Sequence, residues 1–137
     1  GNELFTKALH HYINTWQGKH PMPNDFFYCM NVGAGKNLNW FWEKWFFGGG
    51  ILDLGIKSVK GQLITIENLG EKPMPIDLEI NYSDGTVEKI HRNISAWQLG
   101  NKTTQLKAKS IKKIKKITLG STYVPDSNEK NNVFIAK

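Results

Sequence analysis

The chain has 137 residues, 39% of them hydrophobic and 22% charged, with a formal charge of +6. That is enough to bury one core, or one core with a small appendage, and no apolar run approaches the roughly 20 residues of a membrane span. The single Cys29 excludes an internal disulfide.

Residues 1–16 hold Glu3, Lys7, His10 and His11 and no apolar stretch of the kind a signal peptide needs. Gly1 before Asn2 reads as an arbitrary start, so the missing leader leaves the compartment open. Leu4, Phe5, Ala8, Leu9, Tyr12, Ile13 and Trp16 recur at helical steps and predict one amphipathic helix. Asn2 is expected to cap it and Gly18 to end it. Lys19 to Pro23 is expected to be non-helical because of its two prolines. Asn24 or Asp25 then caps a short second helix to about Val32, stopped by Gly33-Ala34-Gly35. Asn37 caps a third over Leu38 to Phe47.

After Gly48-Gly49-Gly50 the apolar period becomes two. Ile76, Leu78, Ile80 and Tyr82 alternate with Asp77, Glu79 and Asn81, which predicts a half-buried strand. Ser83-Asp84-Gly85 is a tight-turn signal, and Thr86 to His91 returns as the partner strand. Further strands are expected near 51–59, 62–68, 102–108, 113–119 and 132–136. The expected fold is α+β by segment: a short three-helix stretch over 1–50, then an all-β immunoglobulin- or fibronectin-like sandwich over 51–137. The three glycines read as a flexible hinge, since no Lys-Ser/Thr follows them as in a phosphate loop.

Few residues suggest chemistry. His10 and His11 are helix neighbours whose side chains diverge by about 100°, unlike i, i+4 metal ligands. His20 lies in a loop and His91 stands alone in a strand; a zinc site needs three or four convergent ligands, and all four read as surface or polar core histidines. Cys29, among Phe26, Phe27 and Met30, reads as a buried inert thiol. Asp126 to Asn132 superficially suggests a calcium loop. With Lys130 at the fifth ligand position and no Gly at the sixth, it reads as a polar surface loop. Lys107, Lys109, Lys112, Lys113, Lys115 and Lys116 alternate with Leu106, Ala108, Ile111, Ile114 and Ile117, taken as core positions. That is a solvated strand face, not a nucleic-acid patch, which would interleave aromatics or Arg.

Trp40, Phe41, Trp42, Trp45, Phe46 and Phe47 go nearly round one short helix, which must then be buried on several sides. They also complete a longer pattern. Trp16-Gln-Gly-Lys-His-Pro-Met-Pro-Asn-Asp-Phe-Phe27 has the form W-x-x-K-H-P-x-P-x-D-F-F, and Leu38-Asn-Trp-Phe-Trp-Glu-Lys-Trp-Phe46 the form L-x-W-F-W-x-x-W-F. In order and spacing the two resemble the segment that closes the helical part of the catalytic domain in aminopeptidase N-like zinc metallopeptidases. In that family a β-sandwich domain follows. The family's zinc signature, H-E-x-x-H, lies upstream of this segment and occurs nowhere here.

The resemblance implies a non-catalytic C-terminal piece of a zinc aminopeptidase. The parent would release N-terminal residues from peptides with a zinc-activated water, a Glu general base, an oxyanion-stabilising Tyr and a Glu that reads the free amine. None of these falls on a position here, so zinc belongs to the parent and no cofactor to this chain. The expected role is support of the catalytic domain through interdomain packing by Trp16, Phe26, Phe27, Trp40, Phe41, Trp42, Trp45, Phe46 and Phe47. The partners implied are the missing catalytic domain of the same polypeptide and a second copy of the helical segment, with no nucleic acid and no membrane span. The alternative is an immunoglobulin-like module that binds protein or glycan.

Overall fold

A computed structural model of the chain describes residues 1–136. It divides into two compact units, Gly1–Phe47 and a second that starts at Gly48.

The first unit is helical: α1 (Asn2–Trp16), α2 (Pro23–Ala34) and α3 (Asn39–Trp42), which runs on as a π-helical turn over Glu43–Phe47. Helices α1 and α2 form a hairpin closed by small residues. Ala8 is buried, and a Cβ built on Gly33 would lie 2.6 Å from the Ala8 Cα. Glycine therefore sets how closely the two backbones approach. The cap positions differ from expectation. Asn2 is the first residue of α1 and Gly1 precedes it without a side-chain cap. Pro23 is helical, because the first position of a helix needs no N–H and suits its fixed φ. The Asp25 carboxylate accepts the Met22 N–H at 2.8 Å. Gly35, at φ +61, ends α2 in the left-handed conformation.

The second unit is a two-sheet antiparallel sandwich. Strands β1 (Leu54–Lys60), β2 (Leu63–Asn68) and β5 (Thr103–Lys107) form a sheet in the order β1-β2-β5. Strands β3 (Ile76–Tyr82), β4 (Val87–Arg92), β6 (Ile114–Leu119) and β7 (Val133–Ile135) form the other, ordered β4-β3-β6-β7. Alternation assigns the faces. Ile76, Leu78, Ile80 and Tyr82 point inward from β3, and Ile64 and Ile66 inward from β2. With Leu54, Met74, Ile90, Trp97, Leu106, Ile114, Ile117 and Leu119 they form one core drawn from both sheets. The Trp97 indole N–H, buried in it, donates to the Met74 carbonyl at 2.7 Å. That bond removes the cost of an unsatisfied buried donor.

The β3–β4 turn forms at Ser83-Asp84-Gly85, with Gly85 at φ +86. Asp84 accepts both the Thr86 N–H and hydroxyl and pairs with Lys112 at 2.5 Å. These bonds hold its carboxyl well below the usual carboxylate range, the Lys112 contact contributing most.

Two expectations fail in the sandwich. Ile111 is 89% exposed, because the chain leaves β5 and turns before β6 begins. A register shift between Asn81 and Tyr82 then inserts an extra residue in β6, so Ile114 and Ile117 both face inward although three apart. Gly50 is no free hinge. A Cβ there would come within 2.5 Å of the Gly70 carbonyl oxygen, and one on Gly70 within 2.2 Å of the Ile51 carbonyl oxygen. Two backbones touch at that point, and only glycine allows it.

Candidate functional site

The aromatic residues of the helical unit gather around Phe27. Its ring lies 5.2 Å from Trp42, 5.1 Å from Phe46 and 5.6 Å from Phe47. Phe26 extends the cluster to Tyr12 of α1 at 5.1 Å, and Phe41 links Trp42 to Trp45. Edge-on and tilted pairs at these separations are favourable for the ring quadrupoles. Both halves of the Trp16–Phe47 pattern therefore fold into one cluster.

The cluster is covered on one side only. Trp42 is buried with Met30 and Ala8, and Phe26, Phe27 and Phe41 are half-buried against them. Phe46 and Phe47 remain 60% and 67% exposed. The expectation of a helix buried on several sides is corrected: α3 seats Trp42, and the π-helical turn that follows carries two large rings outward. Trp40 and Trp45 are half-buried.

Asn31 orients this arrangement, a role that no local pattern around it signals. Its Oδ1 accepts the Trp42 indole N–H at 2.9 Å and the Leu38 N–H at 3.2 Å, while its Nδ2 donates to Asn39 Oδ1 at 2.7 Å. A single side chain of α2 thus fixes where α3 begins and how its central tryptophan turns. The cap of α3 is Leu38, one residue after the expected Asn37, and carries no side-chain cap bond, although Asn37 accepts the Asn39 N–H at 2.9 Å. Trp16 is half-buried, with Lys19 5.9 Å above its ring, and its indole nitrogen is buried without a partner.

The other candidates do not converge. His11 lies toward α2 at Gly33, whereas His10 and His20 are exposed. Cys29 is buried. His91, isolated in the sequence, meets Asp77 across the β3–β4 pair, its Nδ1 2.7 Å from the carboxylate. Among the described residues no three His, Cys, Asp or Glu side chains come together to hold a metal. No helix among them is long and apolar enough to cross a membrane.

The lysines of 107–116 are exposed but do not share one face. Lys107 points outward from the three-stranded sheet and Lys116 outward from the four-stranded sheet, on opposite sides of the sandwich. The Asp126–Asn132 loop is more than a surface loop. Asp126 accepts the Leu54 and Asn128 N–H groups, Ser127 donates to the Leu52 carbonyl, and Asn131 donates to Asp53 at 2.8 Å. These bonds seal the start of β1, and Asn132 is buried.

Glu88 is another residue that pattern alone misses. It stands on the inward face of β4, opposite Ile80, where it accepts the Tyr82 hydroxyl at 2.5 Å and the Lys109 N–H at 3.0 Å. Burial raises its pKa, but these bonds outweigh burial and the net shift is downward. Burial, with the Glu88 charge beside it, pushes Tyr82 up to about 12. Because Lys109 follows β5, this carboxylate ties one sheet to the other.

Neither a protein-family model nor a curated protein matches the chain. Its fold does match a solved structure, that of Legionella pneumophila aminopeptidase A in complex with aspartic acid, with a TM-score of 0.59 and 17% identity. The match covers 87% of this chain and 14% of that one. Since the second unit makes up about two thirds of the residues, the match takes in part of the helical unit as well. The chain is thus similar in fold to a small part of a much longer aminopeptidase.

Proposed function

We propose that this chain is the end of the helical catalytic region, together with the β-sandwich domain, of an aminopeptidase N-like protein, and that its own role is structural. The observation that carries the reading is the aromatic cluster. Both halves of the Trp16–Phe47 pattern fold into it directly ahead of a sandwich, and the fold match extends over both units. The parent polypeptide would remove N-terminal residues from peptides with a zinc-bound water. The residues present do not fit that zinc site: H-E-x-x-H is absent, and no three ligands converge among the described residues. No step of hydrolysis is therefore assigned to this chain.

What the chain contributes is a platform. Phe26, Phe27, Trp42 and Asn31 set the shape of the cluster. Phe46 and Phe47 present apolar rings suited to the rest of the catalytic domain, Trp40, Phe41 and Trp45 continue the cluster through ring contacts, and Trp16 at the end of α1 belongs to the same packing surface in this reading. Reading the encoding gene upstream of residue 1 tests the assignment. An H-E-x-x-H with a downstream Glu supports it, and a secretion signal joined directly to Asn2 overturns it in favour of a free-standing binding module.

A further inference from the structure

The three chain reversals β1–β2, β3–β4 and β5–β6 meet at one end of the sandwich. The Gln62 carbonyl accepts the Ala108 N–H at 2.9 Å, and the Gln62 side-chain amide donates to the Ile111 carbonyl at 3.4 Å, which ties the first reversal to the third. The Lys113 carbonyl accepts the Ser83 N–H at 2.9 Å and Lys112 pairs with Asp84, which ties the third to the second. Ala108 and Ile114 are buried at the two ends of the β5–β6 connection. Ile111, midway between them, is thereby held out from the surface and is 89% exposed. Lys60, Lys107, Lys109, Lys112, Lys113 and Lys115 lie at this same end, and all are exposed. Lysines that leave the sandwich by opposite faces thus share one end of it. Two carboxylates stand among them. Asp84 pairs with Lys112, and Glu88 is held by the Tyr82 hydroxyl, the Lys109 and Ser110 N–H groups and the nearby Lys109 charge. Lys60, Lys107, Lys113 and Lys115 have no ion pair among the described residues.

We propose that this end of the sandwich docks on an anionic lipid bilayer, with Ile111 entering the interface and the surrounding lysines meeting the headgroup phosphates. The inference goes beyond the structural role above and does not depend on which longer protein the chain belongs to. Each lysine close to an anionic leaflet strengthens binding by about fivefold. Charge alone or one apolar group alone holds a protein weakly on a membrane, and the two together hold it well. Both are present here, on a tip that three hydrogen-bonded reversals keep in place. A site for single-stranded nucleic acid would set aromatic rings or Arg among its cations. Here the exposed tip residue is aliphatic and the cations are all lysines.

The test is flotation of the 137-residue chain with vesicles of phosphatidylcholine, alone or with phosphatidylserine as a quarter of the lipid. Binding is expected to the serine-containing vesicles only, and to weaken as salt rises. Lys109→Ser with Lys113→Ser should weaken it by about tenfold or more, and Ile111→Ser by about tenfold. Lys102→Ser with Lys130→Ser removes the same charge from the other end of the sandwich and should change it little. All five side chains are exposed, so these variants should fold. An environment-sensitive dye on Ile111→Cys, with the native Cys29 buried, should shift to the blue on the serine-containing vesicles. Absence of binding, or equal weakening by the two lysine pairs, would overturn the proposal. So would binding that ignores Ile111→Ser and gives no dye shift. Tighter binding to a single-stranded oligonucleotide, indifferent to Ile111, would likewise overturn it and make this end a polyanion site.

Discussion

Replacing Gly33 with alanine should force α1 and α2 apart. The new Cβ would sit 2.6 Å from the Ala8 Cα, 2.9 Å from the His11 Cβ and 3.1 Å from the Ala8 carbonyl oxygen. All three belong to the facing helix and two are backbone atoms, so no rotamer change relieves the contact. Ordinary carbon contacts need about 3.5 Å or more, so α1 must retreat by close to 1 Å along the whole hairpin. Alanine gains about 1 kcal/mol over glycine in helix propensity, while overpacking a close contact costs about 1–3 kcal/mol. With three backbone and Cβ clashes the upper end applies, leaving a net loss of about 1–2 kcal/mol. Hydrogen exchange resolved by peptide should show faster exchange over residues 2–34 in the Gly33→Ala chain and unchanged exchange in β2 and β3. Equal or slower exchange in α1 would refute the close-approach argument.

Other expectations follow from particular bonds. Asn31→Ala leaves the Trp42 indole and Leu38 N–H groups without their acceptor; a loss of about 1–3 kcal/mol should appear as early exchange over residues 37–47, with Asn31→Asp milder. Trp97→Phe strands the buried Met74 carbonyl and should lower the sandwich's urea midpoint by a similar free energy, about 1–3 kcal/mol. Glu88 has a folded pKa below its ordinary 4.5. The stability it confers is therefore present above that pH and lost as pH falls through the folded value, and urea titrations of Glu88→Gln should lack this acid slope. Tyr82 is shifted the other way, from 10.0 to about 12. Its contribution is present below pH 10 and lost as pH rises toward 12, and Tyr82→Phe should abolish that alkaline decline.

The elements legible in the sequence were those whose pattern is local. The β3 alternation, the Ser83-Asp84-Gly85 turn and the apolar arc of α1 each need only neighbours in the chain, and each formed. What escaped depends on partners brought close by the fold. Glu88 reads as an exposed strand charge until Tyr82 and the chain after β5 surround it. Asn31 reads as a weak helix former until Trp42 needs an acceptor. Ile111 is an apolar residue among lysines, like the buried Ala108 and Ile114, but the chain turns there, and β6 then carries an extra residue at its irregularity. The aromatic cluster was visible as composition; its one-sided burial was not, because covering six rings depends on which helices lie against them.

The proposed role, support of an aminopeptidase without its chemistry, is tested on the metal and the reaction. Zinc content after dialysis, together with hydrolysis of an aminoacyl-anilide, should be measured on the full-length polypeptide and on the 137-residue chain side by side. One zinc per chain and metal-dependent turnover are expected in the full-length polypeptide, and neither in the short one. A tightly held zinc or metal-dependent turnover in the 137-residue chain, or a full-length polypeptide with neither, would contradict it.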